Sequence, residues 1–125
     1  MMSSYNEIDA LVLSVIYEHN QIDLIQWTVM IDFYERIVLT FEELSTSLGK
    51  LQRCGLIHFS NNEFVLSSEA HRLFPKRFNI RNYRKIYDKL VKKEYAEITE
   101  ETFKLLEVEY SEVLKQYKKM SKRYF

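Results

Sequence analysis

The sequence predicts a mainly α-helical chain with one small β-hairpin and a C-terminal helical arm. Three observations carry this. Two glycines and one proline in 125 residues leave few breaks in regular structure. Apolar residues recur at three- and four-residue spacing along most of the chain. Between Thr40 and Leu66 a helical pattern stops at a glycine and gives way to two short alternating runs.

That central stretch is the most informative. Phe41, Leu44, Leu48 and Leu51 fall on one side of a helix. Thr40 before them and Glu43 three residues on form a capping box, in which hydroxyl and carboxylate satisfy each other's free backbone N–H groups. Gly55 can take the left-handed conformation that closes such a helix. Leu56–Ser60 and Glu63–Ser67 then read as strands joined by Asn61 and Asn62, residues that tolerate the positive φ of a two-residue turn. A capped helix running into a small hairpin is the second half of a winged helix-turn-helix.

The elements before it fit. Ser4 and Glu7 form another S-x-x-E start, and Ile8, Leu11, Val12 and Val15 give a helix running to about His19. Asn20-Gln21 connects. Asp23 caps a second helix with Leu24, Trp27, Ile31 and Tyr34 at helical spacing, and Trp27 anchors the core. In the link Glu35–Leu39, the residues Ile37, Val38 and Leu39 suit a brief third strand.

After the hairpin, Ser67 or Ser68 caps a short helix containing Ala70, Leu73 and Phe74, which Pro75 ends. A domain boundary is expected here, with residues 1–76 as the winged helix-turn-helix and 77–125 as a C-terminal helical hairpin. Ile80, Tyr83, Ile86, Tyr87, Leu90 and Val91 give the hairpin's first helix an apolar face. Thr99 caps the second, with Glu100 and Glu101 at the positive end of its dipole. Phe103, Leu106, Tyr110, Val113, Tyr117, Met120 and Tyr124 form a heptad seam. It suits a homodimer interface, or packing on its own domain.

Composition bounds the setting. The single cysteine, Cys54, rules out an intrachain disulfide and suggests a reducing, cytoplasmic location. No signal peptide and no membrane span are evident. Net charge is zero, but the charges are segregated. Residues 1–71 carry three basic and ten acidic groups, 72–93 nine and one, 94–112 one and seven, and 113–125 five and none. The basic stretch Arg72, Lys76, Arg77, Arg81, Arg84, Lys85, Lys89, Lys92 and Lys93 is interleaved with Phe78, Tyr83 and Tyr87. It can track phosphates. Alternatively it pairs within the chain, with Lys93 near Glu100–Phe103, Lys89 near Glu107 and Lys85 near Glu112.

The run Thr40–Ile57 (T-F-E-E-L-S-T-S-L-G-K-L-Q-R-C-G-L-I) resembles the recognition-helix segment of bacterial winged-helix regulators, with the MarR and PadR groups nearest in style. Phe64–His71 is similar to their return from wing to next helix. The resemblance spans roughly residues 5–75. It implies a dimeric transcription regulator that places its third helix in the major groove of double-stranded DNA. On the face opposite the leucines, Arg53 and Lys50 are the expected groove or phosphate contacts. Thr46 suits a base or sugar edge, and Gly49 lets the backbone approach closely. A solvated helix face is the plain alternative.

A second functional reading is a protein–protein interaction module on the same scaffold. It is favoured by the zero net charge, the acidic first 71 residues and a hairpin tip, Ser60–Glu63, without Lys or Arg. His19, His58 and His71 are scattered. With Cys54 they do not make a closed zinc set, so no metal or cofactor is expected. There is no phosphate-binding glycine loop, G-x-S-x-G or H-E-x-x-H, and no enzymatic activity is expected.

Overall fold

The computed structural model describes residues 4–19, 40–61, 63–104, 106–112 and 115. The chain is mainly helical with a two-stranded antiparallel hairpin. The expected second helix with Trp27, and the strand at Ile37–Leu39, lie outside the described residues.

The first helix, α1, spans Glu7–His19. Its cap is Asn6, not the expected Ser4 with Glu7. The Asp9 backbone N–H donates to Asn6 Oδ1 at 3.0 Å, and the Asn6 N–H donates to Asp9 Oδ2 at 2.8 Å. The frame shifts because Asp9 is fixed inside the protein, while the Ser4 carbonyl accepts from Lys50 Nζ at 3.1 Å. Every residue from Asp9 to Ile16 is buried. A helix covered on all sides needs neighbours all round, and α1 has them in the capped helix, the second hairpin strand and the segment 80–90.

The capped helix, α2, spans Phe41–Arg53. The expected capping box is present: the Glu43 N–H donates to Thr40 Oγ1 at 3.1 Å, and the Thr40 N–H donates to Glu43 Oε1 at 2.9 Å. The other end closes as a Schellman motif. Gly55 has φ 72°, its N–H reaches the Gln52 carbonyl at 2.9 Å, and the Leu56 N–H reaches the Leu51 carbonyl at 3.0 Å. Leu51 and Leu56 are both fully buried, which supplies the apolar contact of that motif.

Strands β1 (Ile57–Ser60) and β2 (Glu63–Leu66) pair in the register Ile57 with Leu66, His58 with Val65, Phe59 with Phe64 and Ser60 with Glu63. Asn61 takes the expected positive φ, at 52°. The Ser67 hydroxyl then accepts the Ala70 N–H at 3.2 Å and starts α3 (Ser68–His71). Leu73 and Phe74 follow in tight three-residue turns before Pro75, so they fall outside the helix proper. Tyr17 of α1 stacks flat on Phe74 at 4.2 Å and holds this corner.

A 3₁₀ turn at Ile80–Asn82, capped by Asn79, leads into α4 (Tyr83–Leu90). Ile80, Tyr83, Ile86 and Leu90 join the same apolar cluster as α1. Residues 80–90, assigned from sequence to a separate arm, thus contribute to the core of the first 76.

The expected helix starting at Thr99 is not formed. Residues 94–104 have no regular structure, and a helical run begins at 107. The Thr99 and Ile98 N–H groups are instead committed to the Arg53 carbonyl, at 3.1 and 2.8 Å. A helix C-terminus leaves carbonyls without partners, and this strap supplies the donors.

One polar cluster sits inside the core. Lys50 Nζ lies 2.8 Å from Asp9 Oδ2, and the Ser47 hydroxyl donates to Asp9 Oδ1 at 2.7 Å. The Asp9 side chain is fully buried and that of Lys50 is 11% exposed. Lys50→Met would strand a buried charge. Urea unfolding should show a loss of about 3–5 kcal/mol, and a loss below about 1 kcal/mol would contradict this account of the pair.

Candidate functional site

The four residues expected to meet DNA do not share one open face. Thr46 is exposed. Lys50 is a correction: it points inward to Asp9, because a buried carboxylate on α1 requires a cation and α2 packs directly on α1. Gly49 is buried under the strap. A Cβ there would stand 2.9 Å from both Arg53 Nη1 and Glu101 Oε1, so an ion pair occupies the space in which a close backbone approach was expected. Arg53 is one-third exposed and clamped by two strap carboxylates: its Nε lies 3.0 Å from Glu97, and its Nη1 pairs with Glu101. From Ser47 to Gln52 every residue of α2 is buried.

Gln52, which sequence reasoning passed over, holds the strap. Its Nε2 donates to the Phe103 carbonyl at 2.9 Å and to the Leu48 carbonyl at 3.2 Å. Its Oε1 accepts the Thr102 and Phe103 N–H groups, both at 2.9 Å. One side-chain amide thus serves the strap as a neighbouring strand would. Phe103 then enters an aromatic cluster with Phe59 at 4.5 Å and Phe64 at 5.1 Å. A cleft of about 240 Å³ remains between Thr46, Gly49, Arg53 and strap residues Glu101 and Lys104.

Of the three described residues of the expected dimer seam, Phe103 and Tyr110 turn inward on their own chain and Leu106 does not. Phe103 packs on the hairpin, and Tyr110 is buried beside Phe41, ring centres 5.9 Å apart. Leu106 is 51% exposed. Val113, Tyr117, Met120 and Tyr124 lie outside the described residues.

The electrostatics follow this packing. Hydrogen bonds from Arg53, then from Tyr95, hold the Glu97 carboxyl below its ordinary range. The same contact, with Glu97 first, raises Arg53. Burial first, then the bond to Glu97, pushes Tyr95 up to about 12. Tyr5, whose ring lies 5.2 Å from that of Tyr95, is raised by burial and by the Cys54 thiol beside it. Tyr110 is raised by burial and the nearby Glu43.

The basic stretch behaves differently from α2. The expected pairs of Lys93 with Glu100–Phe103, Lys89 with Glu107 and Lys85 with Glu112 do not form, because residues 94–104 fold back over α2. Lys93 pairs with Glu69 instead, and Lys89 Nζ donates to the Leu73 carbonyl at 2.9 Å. Arg72, Lys76, Arg77, Arg81, Arg84, Lys85 and Lys92 are all exposed. None of these seven forms an ion pair among the described residues. Arg81, Arg84, Lys85 and Lys92 recur at helical spacing on the face opposite the buried Tyr83, Ile86 and Leu90. Arg84 also lies over the Tyr83 ring at 5.8 Å. The result is a cationic ridge, interrupted by Asp88.

Among the described residues no group of three His, Cys, Asp or Glu could hold a metal ion, and no helix is long and apolar enough to cross a membrane. Cys54 is a free, buried thiol at the end of α2. No protein-family model, curated protein or solved structure matches the chain.

Two outcomes follow for the strap. Gln52→Ala leaves the part-buried Thr102 and Phe103 N–H groups without their acceptor. Unfolding should show a loss of about 2–4 kcal/mol, with faster hydrogen exchange at those two amides. Glu97 has a depressed pKa in the folded state, so its contribution is present above the unfolded carboxylate pKa and is lost as pH falls through the folded value. Stability measured from pH 6 down to about pH 3 should therefore fall less steeply in Glu97→Gln than in the unsubstituted protein.

Proposed function

We propose that the chain is a winged helix-turn-helix DNA-binding protein, with the scaffold of MarR- and PadR-type regulators, and that it meets double-stranded DNA through its basic helix α4. The observation that carries this is the ridge of exposed cations that form no ion pair among the described residues. Dense, unneutralised positive charge on one helix face is the electrostatic footprint of a phosphate-binding surface. The capped helix, Schellman turn and hairpin supply the scaffold argument, which is an argument from fold pattern. Regulation of transcription is the process this resemblance suggests.

A specific observation also favours the second reading, a protein-interaction module. Leu106 and Val108 are 51% and 66% exposed at the start of the helical run, and Ile98 on the strap is 72% exposed. Exposed apolar side chains in this part of the chain suit contact with a second copy.

Fluorescence anisotropy with a labelled duplex at about 50 mM salt tests the first reading. Binding with Kd of about 10 µM or tighter is expected, on the scale of phosphate-driven association. Light scattering tests the second. If the exposed apolar residues meet a second copy, Leu106→Asp combined with Val108→Asp should convert a dimer to a monomer with little change in melting temperature. A protein that is monomeric before substitution would remove the homodimer.

A further inference from the structure

We infer that the α4 ridge grips the sugar–phosphate backbone of duplex DNA without reading its bases, so that binding is sequence-independent; this rests on the DNA-binding reading above. Base reading needs side chains free to reach groove edges. The helix that the fold pattern assigns to that task leaves only Thr46 exposed among the four expected contacts. Lys50 is held by Asp9, Arg53 by Glu97 and Glu101, and Gly49 lies beneath that ion pair. Glu42 and Glu43, both exposed at the start of α2, add negative charge to the same region. A duplex brought to this face would meet carboxylates.

The ridge is the opposite. Arg77, Arg81, Arg84, Lys85 and Lys92 are exposed, and the sequence from Tyr83 to Lys93 contains no Asn, Gln, Ser or Thr to match base edges; of the two amides in the turn before it, Asn79 accepts the Arg81 N–H at 2.9 Å and Asn82 stands at the helix start. At about 1.5 Å per residue, α4 is a rod of about 12 Å, too short to follow a groove and long enough to lie across a few phosphates. Phe74, Ile80, Tyr83, Ile86 and Leu90 are turned into the core, and Val91, 50% exposed, is the large apolar side chain of the segment left open. A single half-exposed valine gives little apolar surface to a lipid bilayer, which favours nucleic acid over membrane. The acidic α2 face and the basic α4 face would orient the approaching duplex.

The test uses the full chain and three unrelated duplexes of different base composition. Neutralising about five phosphates gives a slope of log affinity against log salt of roughly −4 to −5. Affinity should then fall a few hundredfold between 50 and 200 mM salt, with the three duplexes agreeing within about threefold. Arg81→Ala combined with Lys85→Ala should lessen the slope by about 2. Arg53→Ala and Thr46→Ala should change affinity less than twofold. Both ridge side chains are exposed, so unchanged melting temperature verifies the fold, and Arg77→Ala with Lys92→Ala gives an independent pair.

A hundredfold preference for one duplex, or affinity that depends on Arg53 or Thr46 and not on the ridge, overturns this inference and leaves the DNA-binding reading standing. Absence of duplex binding at 50 mM salt overturns both. Binding to vesicles containing anionic lipid in that absence would assign the ridge to a membrane surface instead.

Discussion

The Asp9–Lys50 pair is the constraint on which the arrangement depends. A carboxylate in a helix buried from Asp9 to Ile16 is costly to place and costlier to leave alone. It is satisfied by the Asn6 N–H, the Ser47 hydroxyl and the Lys50 ammonium together. These partners come from the cap of α1 and from two successive turns of α2. The cluster therefore sets the rotation of α2 about its own axis as well as its distance from α1. A purely apolar contact would tolerate other rotations, since leucines pack in several registers; a charge with named donors does not. Once α2 is turned so that Lys50 faces Asp9, Leu48, Gly49 and Gln52 are presented to the strap.

The strap then answers a second need. The C-terminal carbonyl of Arg53 would be unpaired, and Ile98 and Thr99 pair it. Gln52 fixes the other end of the strap through its amide. Phe103 closes the hairpin side by packing on Phe59 and Phe64. Hydrogen bonds, ion pairs and aromatic packing at three points along residues 94–104 explain why an irregular segment stays in place where a helix was expected.

Much of the local structure was legible in the sequence because its causes are local. Thr40 with Glu43, Gly55, Asn61 and Ser67 each act on the backbone within four residues, and each does what its chemistry dictates. Lys50 and Arg53 were misplaced because helical periodicity orders residues around an axis but does not say how much of the circumference is covered. A lysine at the edge of an apolar stripe reads as solvent-facing. The signal that it was not was Asp9, an acid within the apolar run Ile8–Tyr17, which demanded a buried cation from elsewhere. Gln52 gave no signal at all: an amide on a helix is ordinary until a strand lies against it. The heptad spacing from Phe103 onward was real, yet Phe103 and Tyr110 found their partners on the same chain. Periodicity reports that a face will be buried and is silent on what buries it.

The segregation of charge along the chain becomes intelligible once the strap is in place. The acidic block 94–112 could have folded against the adjacent basic block, as a helical hairpin would, and cancelled it. Folding back over α2 instead places Glu97 and Glu101 on Arg53, one of only three basic residues in the first 71. The acids thereby neutralise Arg53 in a region that is already acidic, and the cations at 72–92 remain exposed to solvent. A neutral chain thus carries strong local fields of both signs. Net charge describes solubility and says little about contact, because screening confines each field to about 10 Å. A partner approaching α4 meets Arg81, Arg84, Lys85 and Lys92, none of which forms an ion pair among the described residues, with Asp88 between them.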